Sequence, residues 1–451
     1  MSDKENKKWL EVQNIINDEC LKHDVIWKKR QRVLNTKIII LLIFKLILNK
    51  KNQGLPSCLC EFWNKCEEND IELPQKKAIS ASSFCEARQK VPENIFKVLS
   101  KKILNHSPKD NLWKGHNVFA VDGSRVNLPR RLKDYDFPIY DADRRHYPQG
   151  LLSCLYNVLN KTVHDFDFVS HMNERTCAIE HLKSISSSDI VLFDRGYFSY
   201  LLLHSCIQSG VHPIFRLQLG TVNKQISTFN DSGKTDEIID YIPSTTVLHD
   251  LKKQGYILQK QPLKMRLIKV FINGEPYIFG TTLLDQERYK ANDFSALYHE
   301  RWMIEELYKI SKNIMEIENF HSKTERGIRQ EIYAHLLLIN ISRFCEQQAN
   351  EKLPPMNKED SKKLEEDKVY KLFNSKSMFN INFKNCLITV ARQLEVLVLS
   401  TGAAIKNCFS KMIEQISRVR QKIRPKRSYP RISHKPQRKW QIKGHSINAY
   451  H

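Results

Sequence analysis

The chain has 451 residues, with 72 Lys and Arg against 50 Asp and Glu, for a net charge of +22. That length allows several structural units around a large core, and 41% hydrophobic residues is ordinary for a soluble globular chain. The positive surplus points to a polyanionic partner, nucleic acid before an anionic membrane surface, and the longest apolar run (38–44, then Lys45, then 46–48) is about half the ~20 residues that a bilayer span requires.

Residues 1–10, MSDKENKKWL, lack the apolar stretch of a secretory signal, so the expected location is the cytoplasm, in association with the nucleoid. The 11 cysteines are scattered. Cys58, Cys60 and Cys66 cluster, but not at zinc-site spacing and with no second pair, so reduced and mostly buried thiols are expected. Residues 1–110 read mainly as helix. Within them, 78–98 carries a helix capped by Ser80, Ser82 or Ser83, a break near Pro92, and a second helix. Arg88, Gln89 and Lys90 there suit a DNA-contacting helical module, and equally an ordinary helical domain with a solvated basic face.

Residues 117–122 (NVFAVD) read as a short apolar strand ending in Asp122 before Gly123, which puts a carboxylate at a sheet edge where ligands bind. Residues 124–148 read as a polar, basic loop whose Arg130, Arg131, Arg144 and Arg145 suit phosphates. Residues 150–170 alternate like two strands joined at Lys161, and 174–185 read as a helix. The strand 189–193 (DIVLF) ends in Asp194, followed by Arg195, Gly196 and Tyr197. A helix over 200–210 and a strand over 213–217 come next. Either Asp alone suits a turn or cap; two alike on neighbouring strands form a stronger signal.

Residues 219–285 are rich in Thr, Val, Ile, Tyr and Lys and read as an all-β insertion, with strands near 245–250, 255–260, 264–272 and 276–283. A helix from Asp293 to about Glu318 then holds residues 298–312, YHERWMIEELYKISK. At ~100° per residue, Tyr298, Arg301, Glu305 and Lys312 share a stripe roughly 60° wide, with Met303, Leu307, Ile310, Ile314 and Ile317 opposite. Any salt-bridged helix face shows the same i,i+4 pairs, Arg301–Glu305 and Glu305–Lys309. A buried helix is expected over 328–350, a linker over 351–369 and a helical region over 383–420. The segment 418–443 has 11 Lys or Arg and no Asp or Glu, interrupted by Pro425, Pro430 and Pro436. It suits sequence-independent contact with a DNA or RNA backbone, or a solvated tail.

Asp122, Asp194 and Glu305 thus come from two strand ends and one helix, placed to converge at one sheet edge. Hard oxygen donors without a His or Cys cluster select Mg²⁺ or Mn²⁺ over zinc, and a pair of such ions performs phosphodiester chemistry. The array Tyr298-x2-Arg301-x3-Glu305-x6-Lys312, with Asp122-Gly123-Ser124 and Asp194-Arg195-Gly196-Tyr197 upstream, resembles the DDE transposases of bacterial insertion sequences that carry the Tyr-Arg-Glu-Lys signature. The resemblance covers residues 80–345 and the Tyr429-Pro430-Arg431 of the tail.

The resemblance implies an α/β fold, an RNase H-like core interrupted by an all-β insertion. Its parts would be a helical N-terminal DNA-binding region (1–110), the first part of the core (111–218), the insertion (219–285), the second part of the core (286–350) and a helical C-terminal region with a basic tail (351–451). It implies that Asp122, Asp194 and Glu305 are catalytic and bind two Mg²⁺ or Mn²⁺ ions, and that Tyr298, Arg301 and Lys312 contact DNA. The implied reaction is hydrolytic nicking, hairpin formation and strand transfer, on double-stranded transposon ends and target DNA. The implied assembly is a homodimer on DNA, with no membrane partner. An aromatic that stacks on a flipped base is expected among Phe229, Tyr241, Tyr256, Phe271 and Tyr277. Alternative readings are an inactive or regulatory DNA-binding relative, a Mg²⁺-dependent nuclease on the same core, and a peripheral membrane protein resting only on charge and the short apolar run.

Overall fold

The computed structural model describes residues 2–28, 33–49, 53–107, 111–139, 147–219, 224–272, 274–357 and 377–423. Arg144, Arg145, most of the expected 351–369 linker and the tail beyond 423, with Tyr429, Pro430 and Arg431, lie outside the described residues. The chain opens with five helices: α1 (Ser2–Trp27), α2 (Thr36–Leu48), α3 (Leu55–Glu68), α4 (Ala81–Arg88) and α5 (Ile95–His106). The apolar run is α2, buried over nearly its whole length. Among the described residues, no helix is long and apolar enough to cross a membrane. Ser80 caps α4, accepting from the Ser83 amide as its sequence position requires. All 11 cysteines are free and eight are buried.

The sheet follows from period-2 patterning. Strands β1 (Val118–Asn127), β2 (Gln149–Asn157), β3 (Thr162–Val169), β4 (Ile190–Phe193) and β5 (His212–Arg216) stand in the order β3-β2-β1-β4-β5. The β1–β2 and β2–β3 pairs are antiparallel, whereas β4 runs parallel to both β1 and β5. Both faces are covered where β1 and β4 pair, so Val118–Val121 and Ile190–Phe193 are apolar without alternation. Val118, Ala120, Ile190 and Leu192 join the larger core on one face. Phe119, Val121, Val191 and Phe193 join a second core on the other, against α6 (Glu174–His181) and α7 (Tyr200–Gln208).

The insertion differs from its expectation. It holds α8 (Lys224–Asp231), β6 (Asp236–Tyr241), α9 (Thr245–Lys253), β7 (Leu263–Ile272) and β8 (Glu275–Thr281). The strand expected near 245–250 is therefore helix, and 255–260 has no regular secondary structure. The reason is local: Ser244 accepts from the Val247 amide and starts a helix whose Leu248 and Leu251, three residues apart, pack into the second core. The three strands are no separate β unit. They extend the central sheet as β5-β8-β7-β6, all antiparallel. Phe229 and Tyr241 are buried there, and Tyr277 lies under the Arg216 guanidinium, 4.5 Å from its ring centre. Of the aromatic candidates, Tyr256 and Phe271 stand exposed.

Past the sheet come α10 (Ala291–His299), α11 (Trp302–Lys309), a π turn (Ile310–Ile314) and the long α12 (Glu325–Asn350). They are followed by α13 (Phe383–Leu399) and α14 (Gly402–Arg418), flanked by the short antiparallel pair β9 (Phe379–Ile381) and β10 (Arg420–Lys422). Buried α12 ties the layers together through polar side chains. Asn340 accepts from the Val163 amide (2.9 Å) and donates to the Val163 carbonyl and to Ser100 (2.7 Å each). Arg88, 4% exposed, donates to Gln330 (2.7 Å) and Gly327 O (2.6 Å) and pairs with Glu331 at 3.0 Å. Arg88 is thus a buried anchor and not a DNA contact, because its guanidinium satisfies α12 groups that water cannot reach. The N-terminal helices share the larger core with α12, α13 and α14, and the Trp9 indole donates to Leu397 O (3.0 Å).

The single helix expected over 293–318 is broken twice. The Glu300 and Arg301 amides donate three residues back, to Leu297 and Tyr298, forming a tight turn between α10 and α11. The π turn then follows α11. Glu300 is buried at this junction, and burial pushes its carboxyl up to about 7, with Lys161 opposing. The folded chain therefore holds this proton to higher pH than the unfolded chain. The stabilisation is full below the ordinary 4.5 and is lost as pH rises through about 7. Glu300→Gln is expected to remove this slope, so its melting temperature should gain on wild type between about pH 5 and pH 8. Parallel curves in a pH series of thermal melts would contradict it.

Candidate active site

Sheet register sets the site. Ala120 pairs with Leu192 on the parallel neighbour β4, so Asp122 and Asp194 each stand two residues beyond the last paired position of their strands. Asp122 does not end its strand, as expected from sequence, because β1 continues to Asn127 along β2. What ends is its pairing with β4, and Asp122 stands where the two strands part. By alternation both aspartates follow Ala120 and Leu192 onto the larger-core face, the face against which α10 and α11 lie.

Asp122 Oδ1 accepts from the Gly123 amide (2.9 Å). Burial first, then the Glu174 and Asp194 carboxylates, raise its pKa to about 6, against the Gly123 amide and Arg301. Tyr298, 8% exposed, donates from its hydroxyl towards Asp194 Oδ1 and Phe193 O, 3.3 Å from each. Arg301 Nη2 meets Glu305 Oε1 at 2.8 Å, and its charge is felt by Asp122, Asp194 and Tyr298. Lys312 donates to Arg125 O (2.7 Å), three residues beyond Asp122 on β1. The six residues singled out in the sequence thus gather around the parting of β1 and β4, with Arg301 among the acids. The donors are carboxylate oxygens, which fits Mg²⁺ or Mn²⁺.

The three acids are not drawn to within 4.8 Å of one another. Among the described residues, the group that is so drawn is Asp165, Asp167 and His181, beside β3. Its atoms are already engaged: His181 bonds Asp165 (2.8 Å) and Ser153 (3.0 Å), and Lys97 meets Asp167 (2.7 Å) and Asp165 (3.4 Å). That arrangement is a neutralised internal network, and its His181 and Lys97 hold the Asp165 carboxyl down to about 2 despite its burial.

Two neighbours of the site were missed in the sequence. Tyr308 donates to Asp122 O (2.7 Å) and Leu152 O (3.1 Å), docking α11 on β1. It lies three residues after Glu305, so helical spacing was the available signal. Glu174, at the start of α6, approaches Asp122 across the sheet, and no local pattern marks it.

A mixed sheet covered on both faces, with two acids at its parting strands and a facing acid on a helix, defines an α/β protein with an acidic site at its sheet edge. Residues 113–341 match the family described as Transposase DDE domain, and the chain belongs to that family. It is 24% identical to the Escherichia coli (strain K12) transposase InsG for insertion sequence element IS4, over 61% of this chain and 63% of that one. It is 22% identical to the Bacillus thuringiensis subsp. finitimus transposase for insertion sequence element IS231D, over 51% of this chain and 59% of that one. The chain thus spans about three fifths of the length of these relatives. A cryo-EM structure of a piggyBac transposase synaptic complex with hairpin DNA superposes with a TM-score of 0.40 and 10% identity, over 96% of this chain and 88% of that one.

Removing the Tyr308 hydroxyl unties α11 from β1. Tyr308→Phe is expected to lower the unfolding free energy by about 1–2 kcal/mol, read by urea denaturation; an unchanged midpoint would show that the two bonds carry no net stability.

Proposed function

We propose that this chain is an insertion-sequence transposase that cuts and joins DNA through Asp122, Asp194 and Glu305. The observation that carries the reading is the placement of Asp122 and Asp194 on parallel neighbours, with Glu305 on the covering helix and Arg301 between the acids. Family membership and the insertion-sequence relatives support it. The strand order β3-β2-β1-β4-β5, two antiparallel pairs followed by two parallel ones, supports an RNase H-like core, with residues 219–285 as its insertion.

Asp122, Asp194 and Glu305 would hold two Mg²⁺ or Mn²⁺ ions, which would supply activation of the attacking oxygen and charge stabilisation of the leaving one. Tyr298 positions Asp194 through its hydroxyl, a buried role in place of the direct DNA contact expected from sequence. Arg301 and Lys312 turn from their protein partners to the phosphates of the transposon end. In the first step water attacks phosphorus, breaks the bond to the 3′ oxygen and leaves a 3′-hydroxyl. That hydroxyl attacks the complementary strand, closing a hairpin and releasing the flanking DNA. Water reopens the hairpin, and the restored 3′-hydroxyl joins target DNA. The substrates are double-stranded ends and target, bound by a homodimer in the nucleoid, and the +22 charge makes that binding strongly dependent on salt.

Cleavage of a labelled duplex bearing the element's own end, with Mg²⁺ or Mn²⁺, tests this. Wild type is expected to nick and form a hairpin. Glu305→Ala is expected to bind equally and to lose cutting by more than the roughly 10–100-fold typical of outer-shell positions. Binding without cutting by wild type under either metal would leave a regulatory DNA-binding relative. Equal cutting by both proteins would reduce the Arg301–Glu305 pair to a salt-bridged helix face.

A further inference from the structure

Among the described residues, the arginines that are not exposed are Arg88, Arg216, Arg266, Arg301, Arg329 and Arg343. A guanidinium withdrawn from water needs an opposite charge and acceptors for its donors. All of them but Arg216 pair with a carboxylate. Among the described residues the Arg216 side chain has no ion-pair partner and no hydrogen bond. Its guanidinium lies instead over the ring of Tyr277, 4.5 Å from the centre.

This unpaired base stands beside the site. Phe215 of β5 pairs with Phe193 on the parallel neighbour β4, and Arg216 and Asp194 are the next residues of the two segments. By alternation Arg216 follows Ile214 onto the larger-core face, the face of both aspartates. Its antiparallel partner on β8 is Phe279. The Phe279 ring packs on Tyr298, 4.8 Å between centres, and the Tyr298 hydroxyl bonds Asp194. The Arg216 charge is felt at that hydroxyl.

We propose that Arg216 binds a DNA phosphate close to the one that is cut, with the Tyr277 ring holding its guanidinium in place. The inference rests on the proposed function. Arginine offers five donors in one plane, a fork that matches two phosphate oxygens, and stacking on an aromatic face fixes that plane. Arg301 must leave Glu305, and Lys312 the Arg125 carbonyl, before either meets DNA. Arg216 has no such bond to break. Lys312 lies over β1 and Arg216 ends β5, with β4 between them, so the two bases flank the acids. Paired strands stand about 4.8 Å apart and a duplex rises about 3.4 Å per step, which puts the phosphate within about two nucleotides of the cleaved bond.

The test is binding of a duplex bearing the element's own end by the full chain, in EDTA, over a series of salt concentrations. The proteins compared are wild type, Arg216→Gln, Tyr277→Leu and, as an exposed control on α13, Arg392→Gln. Each phosphate contact steepens the fall of log affinity with log salt by about 0.9. Arg216→Gln is expected to flatten the slope by that amount and to weaken binding about 10–100-fold at low salt. Tyr277→Leu should weaken it less, and Arg392→Gln should match wild type. Single uncharged methylphosphonates along the end should reveal one position near the cleaved bond that weakens wild type and leaves Arg216→Gln unaffected; such a position far from that bond overturns the inference. A partly unfolded variant loses binding at every salt concentration alike, so the slope still reads the contact if Arg216→Gln melts lower. An arginine that only balances Asp194, or only packs on Tyr277, leaves the slope at its wild-type value. With that result the inference fails and the proposed function stands. If wild type does not bind the end, both fall.

Discussion

The parallel pairing of β1 with β4 is the constraint on which the site depends. It lasts for three residue pairs, Val118–Ala120 with Ile190–Leu192. Its shortness matters as much as its presence. Had β4 run on beside β1, the space between Asp122 and Asp194 would be filled with ladder hydrogen bonds and no ion or phosphate could enter. Because β1 continues on β2 alone, Asp122 keeps a rigid backbone on one side and an open one on the other. Tyr308 fixes the helix above this opening by bonding the Asp122 carbonyl itself, so the acid and the helix that carries Glu305 are referenced to one atom.

The same economy governs the charges. Buried acids raise one another's pKa, and a site that collects them must balance their charge. Here Arg301 stands among Asp122, Asp194 and Glu305, whereas beside β3 Lys97 and His181 do the same for Asp165 and Asp167. The two clusters differ in what a ligand would meet. The second is closed by a fully buried imidazole bonded at both nitrogens. The first lies where the pairing of β1 with β4 has ended.

Much of this was legible in the sequence. Strands with period-2 or continuous apolar character, the Ser80 cap and the buried α2 and α12 all stand where their patterns place them, because each is set by residues close in sequence. What failed depended on tertiary contacts or on competing local signals. Thr245, Thr246 and Val247 look like strand, but the Ser244 cap and the spacing of Leu248 and Leu251 make them helix. The stripe over 298–312 assumed a straight helix, which the turn at Glu300 and the π turn interrupt. Arg88 looked like a surface base, and its partners lie more than two hundred residues away. Glu174 was invisible because only the missing side chain of Gly123 brings it to Asp122.

The burial of α2 has a consequence for synthesis. Its apolar residues leave the ribosome early, whereas α12 and α13, whose residues share its core, are made only near the end of the chain. Such long-range closure is slow, and the uncovered surface is prone to aggregate in the meantime. Until α12 and α13 are made, only the other N-terminal helices are there to cover α2, and its remaining apolar surface stays open.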